Sequence, residues 1–228
     1  MENSIKGNDS LIKINELTKK DYNEFEIIMS IYQKALNNTI KEGLELKEML
    51  STTYNYDVIT NITGRIKSPD SIATKMKKKN LDISYDNMIE HINDIAGVRI
   101  VCNYKDEVYK IRNIIRKQKN INVIKEKDYL KKTKKSGYSA YHMILEVPVT
   151  IKQETIYIKV EIQIRTALMD FWSTIEHKIK YKPKSKLSNS DSIKLSIYAR
   201  IINDISDKMM KIHRKQTKLL RYLYIYAI

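Results

Sequence analysis

The sequence predicts an α/β protein of the mixed α+β class: about five strands in one mixed β-sheet, flanked by helices, with further helical extensions at both ends. Three observations predict this. Residues 155–166 read TIYIKVEIQIRT, where Ile156, Ile158, Val160, Ile162 and Ile164 alternate with Tyr157, Lys159, Glu161, Gln163 and Arg165. A period of two with β-branched residues on one face is the pattern of a half-buried strand. Residues 22–50 and 191 to the end instead space apolar side chains three and four apart, the helical period. Between them, strand-length and helix-length patterns are mixed, as a sheet covered by helices requires.

In order along the chain, residues 1–18 are polar and expected to fray. In 22–50, Phe25, Ile28, Met29, Tyr32, Leu36, Ile40 and Leu44 form a stripe, with a break expected near Gly43. Lys and Glu mix on the polar face, so the stripe reads as core packing and not as a membrane binder. Residues 57–67 read as a strand stopped by Ser68-Pro69. Ser68 suits an N-cap, Pro69 the first helical position and Asp70 the first turn of a helix to about residue 79. A short helix at 86–93, a strand at 97–102, a helix at 107–117 and a strand at 121–130 follow. KKTKKSG at 131–137 is a basic loop. Residues 138–147 read as a strand with Tyr138, Ala140 and His142 on one face, and a hairpin through 148–154 leads into the 155–166 strand. In a helix over 168–181, Leu168, Phe171, Trp172, Ile175 and Ile179 are expected inward and Asp170, Thr174, His177 and Tyr181 on another face, with Pro183 closing it. The last helix carries the stripe Ile193, Ile197, Ile201, Ile205, Met209 and Ile212. It ends in an apolar tail, RYLYIYAI, the kind of patch that marks a partner interface.

A chain of 228 residues suffices for one sizeable domain with helical additions. The expected division is a frayed N-terminus at 1–18, a helical extension at 19–55, a catalytic domain at 56–183 and a C-terminal helical extension at 184–228. The net charge of +15 implies a polyanionic partner: nucleic acid, a nucleotide or an anionic surface. Cys102 is the single cysteine, which excludes an internal disulfide and a Cys/His zinc cluster; within GVRIVCNY it reads as a buried thiol. The polar start lacks the apolar core of a signal peptide and no apolar run reaches membrane-spanning length. A soluble, cytoplasmic protein without a membrane partner is expected.

Several machines are excluded. There is no GxxxxGK[ST], no GxGxxG, no GxSxG and no HExxH, and the four histidines lie far apart. No His-Asp dipeptide is present, which argues against a divalent-metal phosphohydrolase of that type. What remains is a set of charged side chains on sheet elements. The polar face of 155–166 sets a carboxylate, an amide and a guanidinium about 7 Å apart per step, either an ordinary solvated face or a row that holds a metal, a nucleotide or a transferring phosphate. Asp94, before one strand, and Glu161, within another, would hold Mg²⁺ if they met, since that ion takes oxygen ligands and keeps waters and substrate phosphates. Arg65, Lys67, Lys75, Arg99 and Arg165 would clamp phosphates. Phosphoryl and pyrophosphoryl transfer need little beyond positioning, charge neutralisation and a base. Alone, Asp94 reads equally as a turn carboxylate, Lys77–Lys79 as a solvated face, Tyr138 as sheet packing, and His142 and His177 as structural histidines.

These residues fall in the motifs GRIKSPDSIATKMKKK (64–79), DIAGVRIVC (94–102), KDYLKKTKKSGYSAYH (127–142), VEIQIRT (160–166) and MDFWSTIEHKIKYK (169–182). In this set and order the chain resembles the small alarmone synthetases, single-domain relatives of the RelA/SpoT (p)ppGpp synthetase domain. The resemblance spans about 64–182 and is weak outside it. The long bifunctional enzymes of the family exceed this length, and their hydrolase motif is missing.

The resemblance implies a nucleotidyltransferase-like fold and transfer of pyrophosphate from ATP to the 3′-hydroxyl of GTP or GDP, with Mg²⁺ as cofactor and no hydrolase activity. It implies an ATP-binding set of Arg65, Ser71, Lys75 and Arg99, with Lys67 a weaker member. Asp94 would be the Mg²⁺ ligand, and Glu161 base for the 3′-hydroxyl, metal ligand, or both. Tyr138 would stack on guanine, and His142, Gln163 and Arg165 would line the acceptor site. Lys134 and Lys135 lie in the loop that meets acceptor phosphates, with the choice between them open. Asp170 stands where some relatives carry Asn facing the guanine, which leaves base specificity and the acceptor's phosphate count open. Two nucleotides bring about seven or eight negative charges, which a basic cleft and a metal would balance. Two rivals remain: a pyrophosphotransferase with another acceptor, and a non-catalytic RNA or nucleotide-binding module using the basic loop. A homo-oligomer such as a tetramer, assembled through the terminal helices, is also expected.

Overall fold

A strand with one greasy face has one stable register, because a slip by one residue turns that face to water. In the computed structural model, β5 (Glu154–Thr166) buries Ile156, Ile158, Val160, Ile162 and Ile164 to 3% exposure or less. At about 1.5–3 kcal/mol each, the five contribute about 7–15 kcal/mol, far more than the polar row on the other face can oppose. Residues 24–180 and 187–226 are described, with side chains over 24–179 and 187–217. The frayed segment expected at 1–18, Tyr181, Pro183 and the side chains of the apolar tail lie outside the described residues.

The other elements are α1 (Glu24–Tyr54), β1 (Ile59–Ile66), α2 (Pro69–Lys78), α3 (Tyr85–His91), β2 (Ala96–Cys102), α4 (Lys105–Lys117), β3 (Asn122–Asp128), β4 (Tyr141–Ile151), α5 (Ala167–Lys180) and α6 (Asn189–Tyr226). The five strands run in the order β1-β2-β5-β4-β3. β2 and β5 are parallel and the other pairs antiparallel, so the sheet is mixed as expected. Helices α1 and α4 supply Ile28, Ile31, Tyr32, Leu36, Val108, Ile111 and Ile115 to the core that holds the apolar face of β5. Cys102 is buried there, and burial pushes its thiol well above the ordinary value, as a structural cysteine requires. The opposite face, with its charged rows, is left for the site. Among the described residues no helix is long and apolar enough to cross a membrane.

Several local expectations are corrected. Helix α1 runs unbroken through Gly43, whose missing side chain lets β1 approach: an added Cβ would lie 3.2 Å from Ile62 Cδ1. The inward stripe passes through Gly43, Leu46 and Leu50, and Leu44 points out. Strand β4 starts at Tyr141, so Tyr138 belongs to the preceding loop, while β3 ends at Asp128, whose Oδ1 accepts from the Leu130 and Lys131 amides at 2.9 Å. The hairpin is only Lys152-Gln153, both at positive φ, the geometry of a tight I′-type turn. Pro148 therefore sits inside β4. It is tolerated because the β3 pairing reaches only to Glu146, so no ladder partner misses its N–H.

The expected inward face of α5 holds at Trp172 and fails at Phe171 and Ile179. α5 buries Met169, Trp172 and Glu176, while Phe171 and Ile179 are exposed. α6 buries Leu195, Ala199 and Ser206, and its apolar stripe of Ile193, Ile197, Ile201, Ile205, Met209 and Ile212 is 44–62% exposed. Both helices lie outside the main core, so only a narrow strip of each meets the protein. By contrast the expected cap of α2 is present: Ser68 accepts from the Ser71 amide at 3.4 Å, with Pro69 at the start.

Candidate active site

Neighbours across a ladder point to the same side of a sheet, so register alone assembles the site. Arg65, Gly97 and Glu161 form one row. Thr63, Arg99, Gln163 and His142 form the next, and Val101 and Arg165 a third. Glycine at 97 leaves the floor open between Arg65 and Glu161. Asp94 stands in the turn before β2, and it and Glu161 line one cavity of about 200 Å³ with Arg65, Arg99 and Gln163. A cleft of about 490 Å³ shares Arg65, Arg99 and Gln163, then continues past Lys134, Tyr138 and Arg165 to Thr174, His177 and Lys178 of α5. A roomier hollow of about 720 Å³ between α1, α2 and α3 is lined by Phe25, Ile72, Met76 and Met88 with Glu24, Asp70 and Asp86. It holds none of these cations and would repel phosphate.

Asp94 Oδ2 accepts from Lys75 at 2.8 Å and Lys67 at 2.9 Å. Burial alone would raise its carboxyl; the two ammonium groups outweigh that and hold it below its ordinary value. Lys67 is thus a full member of the cluster. Asp94 Oδ1 is buried with no hydrogen-bond partner. Among the described residues no group of three or more His, Cys, Asp or Glu converges. Two carboxylates on one cavity, one with an orphaned oxygen, fit a hard cation that completes its shell with water and phosphate, as Mg²⁺ does.

Glu161 belongs to a closed ring of hydrogen bonds. Its Oε1 meets His142 Nδ1 at 3.0 Å and its Oε2 accepts from Gln163 Nε2 at 2.6 Å. Gln163 Oε1 accepts from Arg165 Nη2 at 2.6 Å, the same nitrogen donates to the Tyr138 hydroxyl at 2.8 Å, and that hydroxyl meets His142 Nε2 at 2.7 Å. Arginine only donates and an ionised carboxylate only accepts. For a neutral imidazole the directions follow: the imidazole donates from Nδ1 to Glu161, and Tyr138 donates to Nε2. Burial would raise the Glu161 carboxyl, but His142 and Gln163 bring it below its ordinary value. Burial raises the Tyr138 phenol, against the pull of Arg165.

Asp170 Oδ1 lies 3.1 Å from Arg99 Nη1 and 3.3 Å from Arg165 Nη1, so one carboxylate is counter-ion to two guanidiniums. Burial and nearby Arg165 push Arg99 below its ordinary value, and Asp170 works against them. The Nε atoms of Arg99 and Arg165 are buried donors without an acceptor, which an anion in the cleft would supply. Lys134 Nζ sits 4.6 Å from the Tyr138 ring centre and lines both the cleft and a second cavity beside α6; Lys135 lines only the second. Ser71 lies in the first turn of α2, exposed, its hydroxyl accepting from Ser68 Oγ at 2.8 Å. Asp94, Glu161, Arg65, Lys67, Lys75, Arg99, Lys134, Tyr138, His142, Gln163, Arg165 and Asp170 are therefore brought together, while Ser71 and Lys135 lie at the margin. Lys178 was legible in principle, four and eight residues on from Thr174 and Asp170 along the helix.

The region found in RelA/SpoT proteins matches residues 64–186. The chain is 34% identical over 185 residues to the GTP pyrophosphokinase YwaC of Bacillus subtilis, covering 81% of this chain and 88% of that one. It is 30% identical to the GTP pyrophosphokinase YjbM of the same organism, covering 84% and 90%. The crystal structure of the small alarmone synthetase 1 from Bacillus subtilis bound to its product pppGpp superposes with a TM-score of 0.77 at 28% identity, over 84% of this chain and 97% of that one. The match covers the strands and turns that carry the two carboxylates and the arginines, and the chain belongs to the RelA/SpoT family, among its small alarmone synthetases.

Proposed function

We propose that this protein is a (p)ppGpp synthetase, transferring pyrophosphate from ATP to the 3′-hydroxyl of GTP or GDP. The observation that carries this reading is the meeting of Asp94 and Glu161 on one cavity flanked by arginines on both sides. Relatives named as GTP pyrophosphokinases support it.

Arg65, Lys67, Lys75 and Arg99 hold the ATP side, with Ser71 at its margin. Lys134, Tyr138, His142, Gln163 and Arg165 hold the acceptor, with Lys135 outside the cleft. Asp94 and Glu161 would hold Mg²⁺, which would supply charge neutralisation to the transferring group. Glu161, kept ionised by His142 and Gln163, takes the proton of the 3′-hydroxyl as that oxygen bonds to the β-phosphorus of ATP; the bond from that phosphorus to the bridging oxygen breaks and AMP leaves with the electron pair. Arg99 and Arg165, separated by Asp170, spread their charge over both nucleotides. Asp170 serves first as their counter-ion, and a guanine N1–H would compete with them for it. Tyr138 presents its ring to guanine once Lys134 turns to the phosphates.

The outward stripe of α6 is proposed as the contact with a second copy of the chain, because no part of its own subunit covers it among the described residues. Mass spectrometry of products from ATP with GTP, GDP and mixed nucleotides tests the activity. AMP with ppGpp or pppGpp, dependent on Mg²⁺ and without later hydrolysis, is expected. Pyrophosphate on another acceptor, or salt-dependent RNA binding with no turnover, would overturn the reading.

A further inference from the structure

The acceptor-side loop, residues 129–140, is closed at its base, where the Tyr129 amide donates to the Ala140 carbonyl at 2.9 Å, and its Tyr138 hydroxyl joins the ring with Arg165 and His142. At its start Asp128 accepts from two loop amides; near its end the Gly137 amide donates to the Lys134 carbonyl at 2.8 Å, and the Lys134 amide to the Tyr138 carbonyl at 3.1 Å. This tight turn carries both Lys134 and Tyr138. It meets α6 at Gly137. Gly137, at φ +84°, is so close that an added Cβ would stand 2.2 Å from Ala199 Cβ, with Ser196 O at 3.5 Å. Beside that contact, loop and helix part around a polar cavity of about 470 Å³ lined by Lys105, Thr133, Lys135, Arg200 and Asn203. Among the described residues no hydrogen bond or ion pair joins 131–136 to α6.

The other side of the contact is firm. Ala199 is 1% exposed and packs with Leu195 and Trp172 in a small core, and Trp172 belongs to α5, the helix that brings Asp170 to the cleft. Further along, Lys105 of α4 holds Asp207 at 2.9 Å and the Asn203 carbonyl at 3.3 Å, and His213 stacks on Tyr104 with ring centres 4.2 Å apart. Helix α6 is thus fixed to the body at several points, and the loop rests against it at Gly137.

We infer that Ala199 of α6 is a positioning residue for the acceptor nucleotide: its small side chain seats Gly137 and thereby sets where Lys134 and Tyr138 stand in the cleft. This rests on the acceptor assignment of those two residues. It concerns the acceptor first: the ATP-side residues Lys67 and Lys75 are held by Asp94, and among the described residues no hydrogen bond or ion pair joins that trio to the loop. A Cβ on Gly137 drives the turn away from α6 by more than 1 Å, since carbon atoms settle about 3.5–4 Å apart, and a larger side chain at 199 crowds the same contact. A misplacement of that size lowers catalytic efficiency by about tenfold to a hundredfold.

The test is a steric cycle: Gly137→Ala, Ala199→Gly, the pair together, and the series Ala199→Ser and Ala199→Val. Steady-state kinetics give kcat/KM for GTP, and equilibrium titration gives ATP binding without acceptor. Gly137→Ala and Ala199→Val are expected to lose about tenfold or more in kcat/KM for GTP, with ATP affinity within about twofold. Adding Ala199→Gly to Gly137→Ala should recover part of the loss, leaving what the positive φ exacts, and Ala199→Ser should fall between wild type and Val. Absence of rescue, or equal damage to ATP binding, overturns the inference. Should Ala199→Val not fold, Ala199→Ser and the double variant decide. A wild-type protein that makes no alarmone would instead refute the underlying assignment.

Discussion

Replacing Glu161 with glutamine tests the base and the ring around it in one step. Glutamine offers one acceptor and one amine where the carboxylate offered two acceptors. If its oxygen stays with Gln163, the amine faces His142, which must accept at Nδ1 and carry its proton on Nε2. That proton then points at the Tyr138 hydroxyl, which already accepts from Arg165. The hydroxyl's own proton is left without an acceptor in the ring. If the glutamine is turned round, two amines oppose each other at Gln163, or at Arg165 once Gln163 turns too. The first arrangement costs less because imidazole takes either tautomer. A buried donor without a partner costs about 1–3 kcal/mol, and in a chain of this size about 2–4 °C of Tm follows each kcal/mol, so Tm should drop by roughly 2–12 °C. Turnover should fall about 10²–10⁴-fold with loss of the base. Melting curves, product assays and the ¹⁵N shifts of His142 read the three effects. Tyr138→Phe removes the stranded proton, so the double variant should lose less stability than the sum of the singles. Additive losses with His142 still protonated on Nδ1 would refute the ring, and wild-type turnover in Glu161→Gln would refute the base.

Asp94→Asn leaves Lys67 and Lys75 facing each other across a neutral amide and removes the orphaned oxygen offered to Mg²⁺; turnover should be lost, and Mg²⁺ should no longer strengthen ATP binding by calorimetry. Asp94 and Glu161 both titrate below their ordinary values of 3.8 and 4.5. Their contribution to stability is therefore full above that range and is lost as pH falls through the lower, folded values. Urea unfolding of wild type should weaken steeply on the acid side of about pH 4, and Asp94→Asn should flatten that limb; an unchanged limb would show that the carboxyl is not held down. Ile201→Asp with Ile205→Asp on the outward face of α6 should lower the mass in light scattering while the circular dichroism of the chain is kept.

Much of this protein was readable in one dimension because its signals are local. The two faces of β5 follow from a period of two, the start of α2 from Ser68-Pro69, and the buried Cys102 from its apolar neighbours. The motif residues named the chemistry before any contact was known. What failed depended on partners distant in sequence. Helical spacing says that α6 has an apolar stripe but not whether its own subunit or another covers it, and here the subunit takes the strip through Leu195 and Ala199. Tyr138 looked like part of a strand because its neighbours alternate, yet the loop turn at Gly137 claims it. The sharing of Asp170 between Arg99 and Arg165 requires α5 to fold back against the sheet, which spacing along the helix does not announce.

Sequence alone determined which side chains share a face, because that follows from backbone period and the free energy of hiding isoleucine and valine from water. Only the tertiary structure decided which faces meet. The parallel pairing of β2 with β5 sets Gly97 beside Glu161, and that crossover brings the Asp94 turn to the same cavity. Its cause is the joint packing of α1 and α4 beneath the sheet, a long-range balance of buried area that no short stretch of the chain contains.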